Sequence, residues 1–80
     1  MLNRSAESIL GKELHFTVNS RDIAFINAVL DSYEGLGLMR TIDSNVGHIV
    51  IYTAMQNELM KLLESLSEDE GISCHERRGG

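Results

Sequence analysis

Few residues of this 80-residue chain are of a type that does chemistry. They are three histidines (His15, His48 and His75), one cysteine (Cys74), an Arg21-Asp22 pair and a terminal Gly79-Gly80. Histidines serve as metal ligands or as proton carriers near neutral pH. A closed structural metal site needs four ligands. His15 and His75, on neighbouring strands, offer two, with Tyr52 near them and His48 at the far end. Cys74 alternates with His75, so it points to the other side and joins no such set. A buried cysteine behaves as a small apolar side chain, whereas a nucleophilic one needs exposure and a neighbouring base. No metal, no cofactor and no catalytic residue are therefore expected. Arg21, close to the start of a helix, has the right charge and place to hold an anion, but Asp22 beside it opposes one.

Composition narrows the classes further. Hydrophobic residues make up 42% and charged residues 24%, which excludes a disordered chain. No apolar run reaches the roughly 18 residues of a membrane span, so no membrane partner is expected. Twelve acidic residues against seven basic ones give a net charge of −5. That balance repels phosphate backbones, so no nucleic-acid partner is expected. A single cysteine excludes a disulfide framework. Met1 to Lys12 does not have the pattern of a signal peptide. With the free thiol, this gives a cytoplasmic expectation. A chain this short builds only a small core, which favours a homodimer or another protein partner.

The elements that position these residues follow from periodicity. Glu13 to Val18 alternates, with Leu14, Phe16 and Val18 on one face and His15 and Thr17 on the other, as a half-buried strand does. Asn19 suits a helix N-cap. Ile23, Ile26, Val29, Leu30 and Tyr33 recur at helical spacing, giving a helix over about 20–33. Gly35 and Gly37 fit its stop. Leu36 to Ile42 is a second strand, Asp43 to Gly47 a hairpin loop, and His48 to Tyr52 a β-branched third strand. Thr53 to Gln56 has the spacing of a capping box. Met55, Leu59, Leu62, Leu63 and Leu66 form the stripe of a second helix over about 54–66, ending before Glu68-Asp69-Glu70 because those acids oppose its dipole. Ile72 to Glu76 is a short last strand. Leu2, Ala6, Ile9 and Leu10 are spaced as one short amphipathic helix, so residues 1–12 read as a short helix or a flexible segment, and residues 77–80 read as a disordered tail.

The order βαββαβ predicts an α+β fold, the ferredoxin-like plait, with strands ordered 4-1-3-2 and both helices on one face. Leu14, Phe16, Val18, Ile49, Ile51, Ile72 and Cys74 should face the helices. His15, Thr17, Met39, Thr41, His48, Val50, Tyr52, Ser73 and His75 should form the opposite face. That mixture is apolar enough to suggest an interface at His15, Thr17, Val50 and Tyr52. A βαββα unit completed by another chain's strand is the alternative.

Over residues 13–76 the chain resembles the ACT-type regulatory domain, through Gly35-Leu36-Gly37-Leu38-Met39-Arg40-Thr41 and the segment Glu58 to Leu66. It also resembles a small uncharacterised bacterial family through Asp22-Ile23-Ala24-Phe25 and Tyr33-Glu34-Gly35-Leu36. The ACT resemblance implies a non-catalytic regulatory module that dimerises and binds a small ligand such as an amino acid at the loop after the first strand. Here that loop is Asn19, Ser20, Arg21 and Asp22, without the usual proline and glycine. Two other readings stand beside it. A small enzyme on the same fold, similar to acylphosphatases, would use Arg21 and His15. A sulfur carrier or modifier would use Gly80.

Overall fold

The computed structural model describes residues 11–77. Four strands and two helices alternate as expected: β1 (Lys12–Val18), α1 (Ile23–Asp31), β2 (Leu38–Asp43), β3 (His48–Thr53), α2 (Gln56–Glu70) and β4 (Cys74–Glu76). The sheet is antiparallel throughout, in the order β2-β3-β1-β4. The chain is an α+β ferredoxin-like plait. The expected segment before β1 and residues 78–80 lie outside the described residues.

The alternation of β1 and β3 sets the core. Leu14, Phe16, Val18, Ile49 and Ile51 are buried with Ile26 and Leu30 of α1 and Leu59, Leu63 and Leu66 of α2. Ile72 completes the cluster, with Cys74 packed against it. Apolar burial supplies most of the stability, so truncating a fully buried side chain such as Leu59 to alanine costs about 2–5 kcal/mol.

β2 departs from expectation. Met39 pairs with Ile51 and Thr41 with Ile49, so both lie on the helix side. Leu38 and Arg40, opposite Tyr52 and Val50, take the open face instead. A shift of one residue inverts a strand's faces. Gly37 lies close against β3, where a Cβ would sit 3.1 Å from the Ile51 side chain and from the Tyr52 carbonyl. Leu36 is buried ahead of the strand rather than within it.

Both helices have other bounds than periodicity gave. Residues Ser20–Asp22 form a 3-10 turn before α1, and Asn19 makes no side-chain cap bond. α1 closes where Ser32 Oγ donates to the Val29 carbonyl at 2.6 Å. Met55 precedes α2 and is exposed, so it is not part of the buried stripe. Thr53 Oγ1 accepts the Met55 N–H at 2.9 Å, a local turn rather than a capping box. α2 continues through the three acids to Glu70. Gly71, at φ 70°, then ends it in the left-handed region, where glycine carries no steric penalty. The geometric stop at Gly71 outweighs the small dipole cost of exposed carboxylates.

Candidate functional site

The sheet face away from the helices gathers most of the residues singled out from the sequence. Cross-strand partners share a face. Asp43, His48, Thr17 and His75 therefore form one row across all four strands. Arg40, Val50 and His15 form the next row, and Leu38, Tyr52 and Glu13 the third. Residues His15, Thr17, Val50 and Tyr52 are thus brought together, as expected. His15, Thr17 and Tyr52 are half-buried, whereas Val50 is completely buried.

The polar centre of this face is a chain of three side chains. His15 Nδ1 lies 2.8 Å from His48 Nε2, and His15 Nε2 lies 2.7 Å from Glu13 Oε2. Among the described residues, this carboxylate–imidazole contact is the one ion-pair geometry present. The imidazole rings are 5.0 Å apart and tilted by 49°. Burial lowers the His48 pKa, and Arg77 and His15 lower it further against an opposing pull from Asp43. His48 is therefore neutral at neutral pH.

His15 meets His48, a contact the sequence reading placed at the far end of the sheet. β1 begins at Lys12, so His15 sits in mid-strand rather than at its start. The Val18 N–H donates to the Gly47 carbonyl at 2.8 Å and fixes His48 opposite Thr17. The hairpin glycine was the signal that could have given this register. Arg77, expected in a loose tail, is held by its N–H to the His15 carbonyl at 2.7 Å and by its guanidinium to Thr17 Oγ1 at 2.9 Å.

The loop expected to bind a small ligand lies at the end of β1. Asn19, Ser20 and Arg21 are exposed and Asp22 is half-buried. Ser20 Oγ donates to the Ser44 carbonyl, which ties this loop to the β2–β3 hairpin. Asp22 approaches the Cys74 thiol. Burial, with a smaller contribution from Asp22, pushes that thiol up to about 11. Cys74 is thus a protonated, half-buried thiol.

Two grooves flank α2. One, of about 450 Å³, lies between α2 and β4 and is lined by Phe16, Lys61, Glu64, Ser67, Cys74 and His75 among others. The other, of about 460 Å³, lies between α2 and the end of α1, with Tyr33, Leu36, Met55 and Leu62 in its wall. Among the described residues no group of three or more His, Cys, Asp or Glu side chains is arranged to hold a metal ion. No helix among them is long and apolar enough to cross a membrane.

Exposed apolar side chains occur on the helices and their ends, at Phe25, Tyr33, Met55 and Met60, and also on the edge strand and the hairpin after it. Leu38 and Ile42 of β2 are each 49% exposed, and Val46 of the following hairpin is 55% exposed. Among the described residues, β2 has a neighbour on one side only. A β-bulge between Thr41 and Asp43 changes the alternation, so that Arg40 and Asp43 share the open face although three residues apart.

No curated protein and no solved structure matches the chain. A family model does match, over residues 16–69, from the middle of β1 to the last turn of α2. The span takes in the hairpin, the edge strand and both helices, and on that match the chain belongs to the family described as Domain of unknown function (DUF4911).

Proposed function

We propose that this chain is a non-catalytic protein-interaction module that pairs with a second copy of itself through the edge of β2. The observation that carries this reading is the self-complementary composition of that edge. Arg40 and Asp43 present one positive and one negative charge on the same face of a strand whose outer edge has no partner among the described residues. An antiparallel two-fold pairing sets Arg40 opposite Asp43 of the partner subunit, and does so twice. Cross-strand pairs of opposite charge favour such a register. Leu38, Ile42 and Val46 then lose the exposure they have in the single chain. The small size of the core supports the same conclusion, since pairing adds buried apolar surface.

Sedimentation of the full chain tests the reading. The wild type is expected as a dimer, and Arg40→Asp as a monomer because it sets like charges opposite each other. The double variant Arg40→Asp/Asp43→Arg restores opposite signs and is expected to restore the dimer. A monomeric wild type, or a dimer indifferent to Arg40→Asp, contradicts the proposal.

The resemblance to ACT-type domains supports a second element of function, a small ligand such as an amino acid at Asn19, Ser20, Arg21 and Asp22. The observation in its favour is the exposed Arg21 in a loop anchored by Ser20 to the hairpin. Thermal unfolding against a panel of amino acids tests it. A ligand at about 100 times its Kd adds about 2.7 kcal/mol. The Arg21→Ala variant is expected to lose that shift while keeping its oligomeric state.

A further inference from the structure

The geometry points to an open site for a borderline divalent metal ion, such as Zn²⁺, between His15 and His48. Nδ1 of His15 and Nε2 of His48 are aimed at each other across 2.8 Å, where one proton fits and two do not. Glu13 settles which ring supplies it. Its carboxylate accepts the Nε2–H of His15, and in that tautomer Nδ1 is the acceptor nitrogen facing His48. His48 then donates from Nε2. When the His48 proton moves to its other ring nitrogen, the ring stays neutral and two lone pairs converge on one point.

A tetrahedral ion bound at the usual zinc–nitrogen length holds its two nitrogens about 3.3 Å apart. The rings therefore need to open by about half an ångström and to turn so that both lone pairs meet at the ion. The side chains are half-buried on a sheet face, which keeps the site both ordered and reachable. A carboxylate behind one imidazole is the arrangement that orients histidine ligands and raises their basicity. Imidazole donors select zinc, copper or nickel over calcium and magnesium, which take oxygen ligands. Asp43 beside His48 favours a cation, and Arg77 opposes it. No third side chain among the described residues completes the set, so water fills the remaining positions and binding is weak.

Calorimetric titration of the full chain with Zn²⁺ is the test, with the histidine ring nitrogens followed by NMR. One ion per chain is expected, with shifts confined to Nδ1 of His15 and Nε2 of His48. His15→Ala and His48→Ala should each weaken binding by about tenfold or more, and Glu13→Gln by less. His75→Ala and Cys74→Ser should leave it unchanged. Absence of saturable binding at millimolar Zn²⁺ overturns the proposal. So does a loss in His75→Ala equal to that in His15→Ala, which would mark diffuse adventitious binding. If His48→Ala fails to fold, the ring-nitrogen shifts in the unaltered chain decide the question.

Discussion

Thr53 Oγ1 donates to the Leu36 carbonyl at 2.7 Å, so one hydroxyl fastens the turn before β2 to the end of β3. The same oxygen accepts the Met55 N–H at 2.9 Å, just before α2 begins. Thr53 is 1% exposed, and its bond to Leu36 is buried from water. Thr53→Val keeps the shape and removes both bonds, leaving the Leu36 carbonyl and the Met55 N–H without this partner. It should cost about 1–3 kcal/mol, the penalty for leaving buried polar groups unpaired. Thr53→Ser keeps the hydroxyl and should lose less. Chemical denaturation of the three proteins checks this. Equal stability of the valine variant would mean that the hydroxyl does not organise the junction.

Gly47 is expected to be far less replaceable than Gly71. Its φ is 72°, and a Cβ there would collide with the backbone carbonyl of Val18. Gly71 has φ 70° but open space around it. Gly71→Ala should therefore cost only the left-handed strain, about 1–2 kcal/mol. Gly47→Ala should cost clearly more, because the chain must also separate the hairpin from β1. The comparison is a pair of unfolding curves. Equal losses would contradict the close approach of Gly47 to Val18.

Cys74 should react slowly with alkylating reagents in the folded protein. Its thiol lies at about 11 against an ordinary value of 9.0. At pH 8 the folded chain should react about a hundredfold more slowly than the unfolded chain, since the thiolate is the reacting form. A raised thiol pKa also makes the folded state less stable at high pH. Its contribution is complete below about 9 and is lost as pH rises through about 11. Rapid alkylation at pH 8 under native conditions would contradict the burial of this thiol.

Much of the fold was legible because the physics was local. The period of two in Leu14, Phe16 and Val18, and the β-branched run at Ile49 to Ile51, fixed which sheet face meets the helices. The strand order followed from handedness and from the element sequence. β2 was read on the wrong face because Leu38 and Met39 are both apolar and the alternation is ambiguous. The register of β2 on β3, which decides the matter, is tertiary. The end of α2 was misplaced because a weak dipole argument was set above the stop at Gly71. On the open face, the gathering of His15, Thr17, Val50 and Tyr52 followed from parity alone. The His15–His48 contact did not, because it depends on a register set by the Gly47–Val18 hydrogen bond. The shared face of Arg40 and Asp43 depends on a bulge that their spacing hides.

The central claim is that β2 is an intermolecular edge, and amide hydrogen exchange along it is the most direct test. The full chain would be compared at low and high protein concentration, residue by residue over Leu38 to Asp43. The amides of β2 that point away from β3 should exchange slowly at high concentration and quickly on dilution. Those of β1, paired on both sides, should not change. Fast exchange at the outer edge of β2 at every concentration would contradict the account.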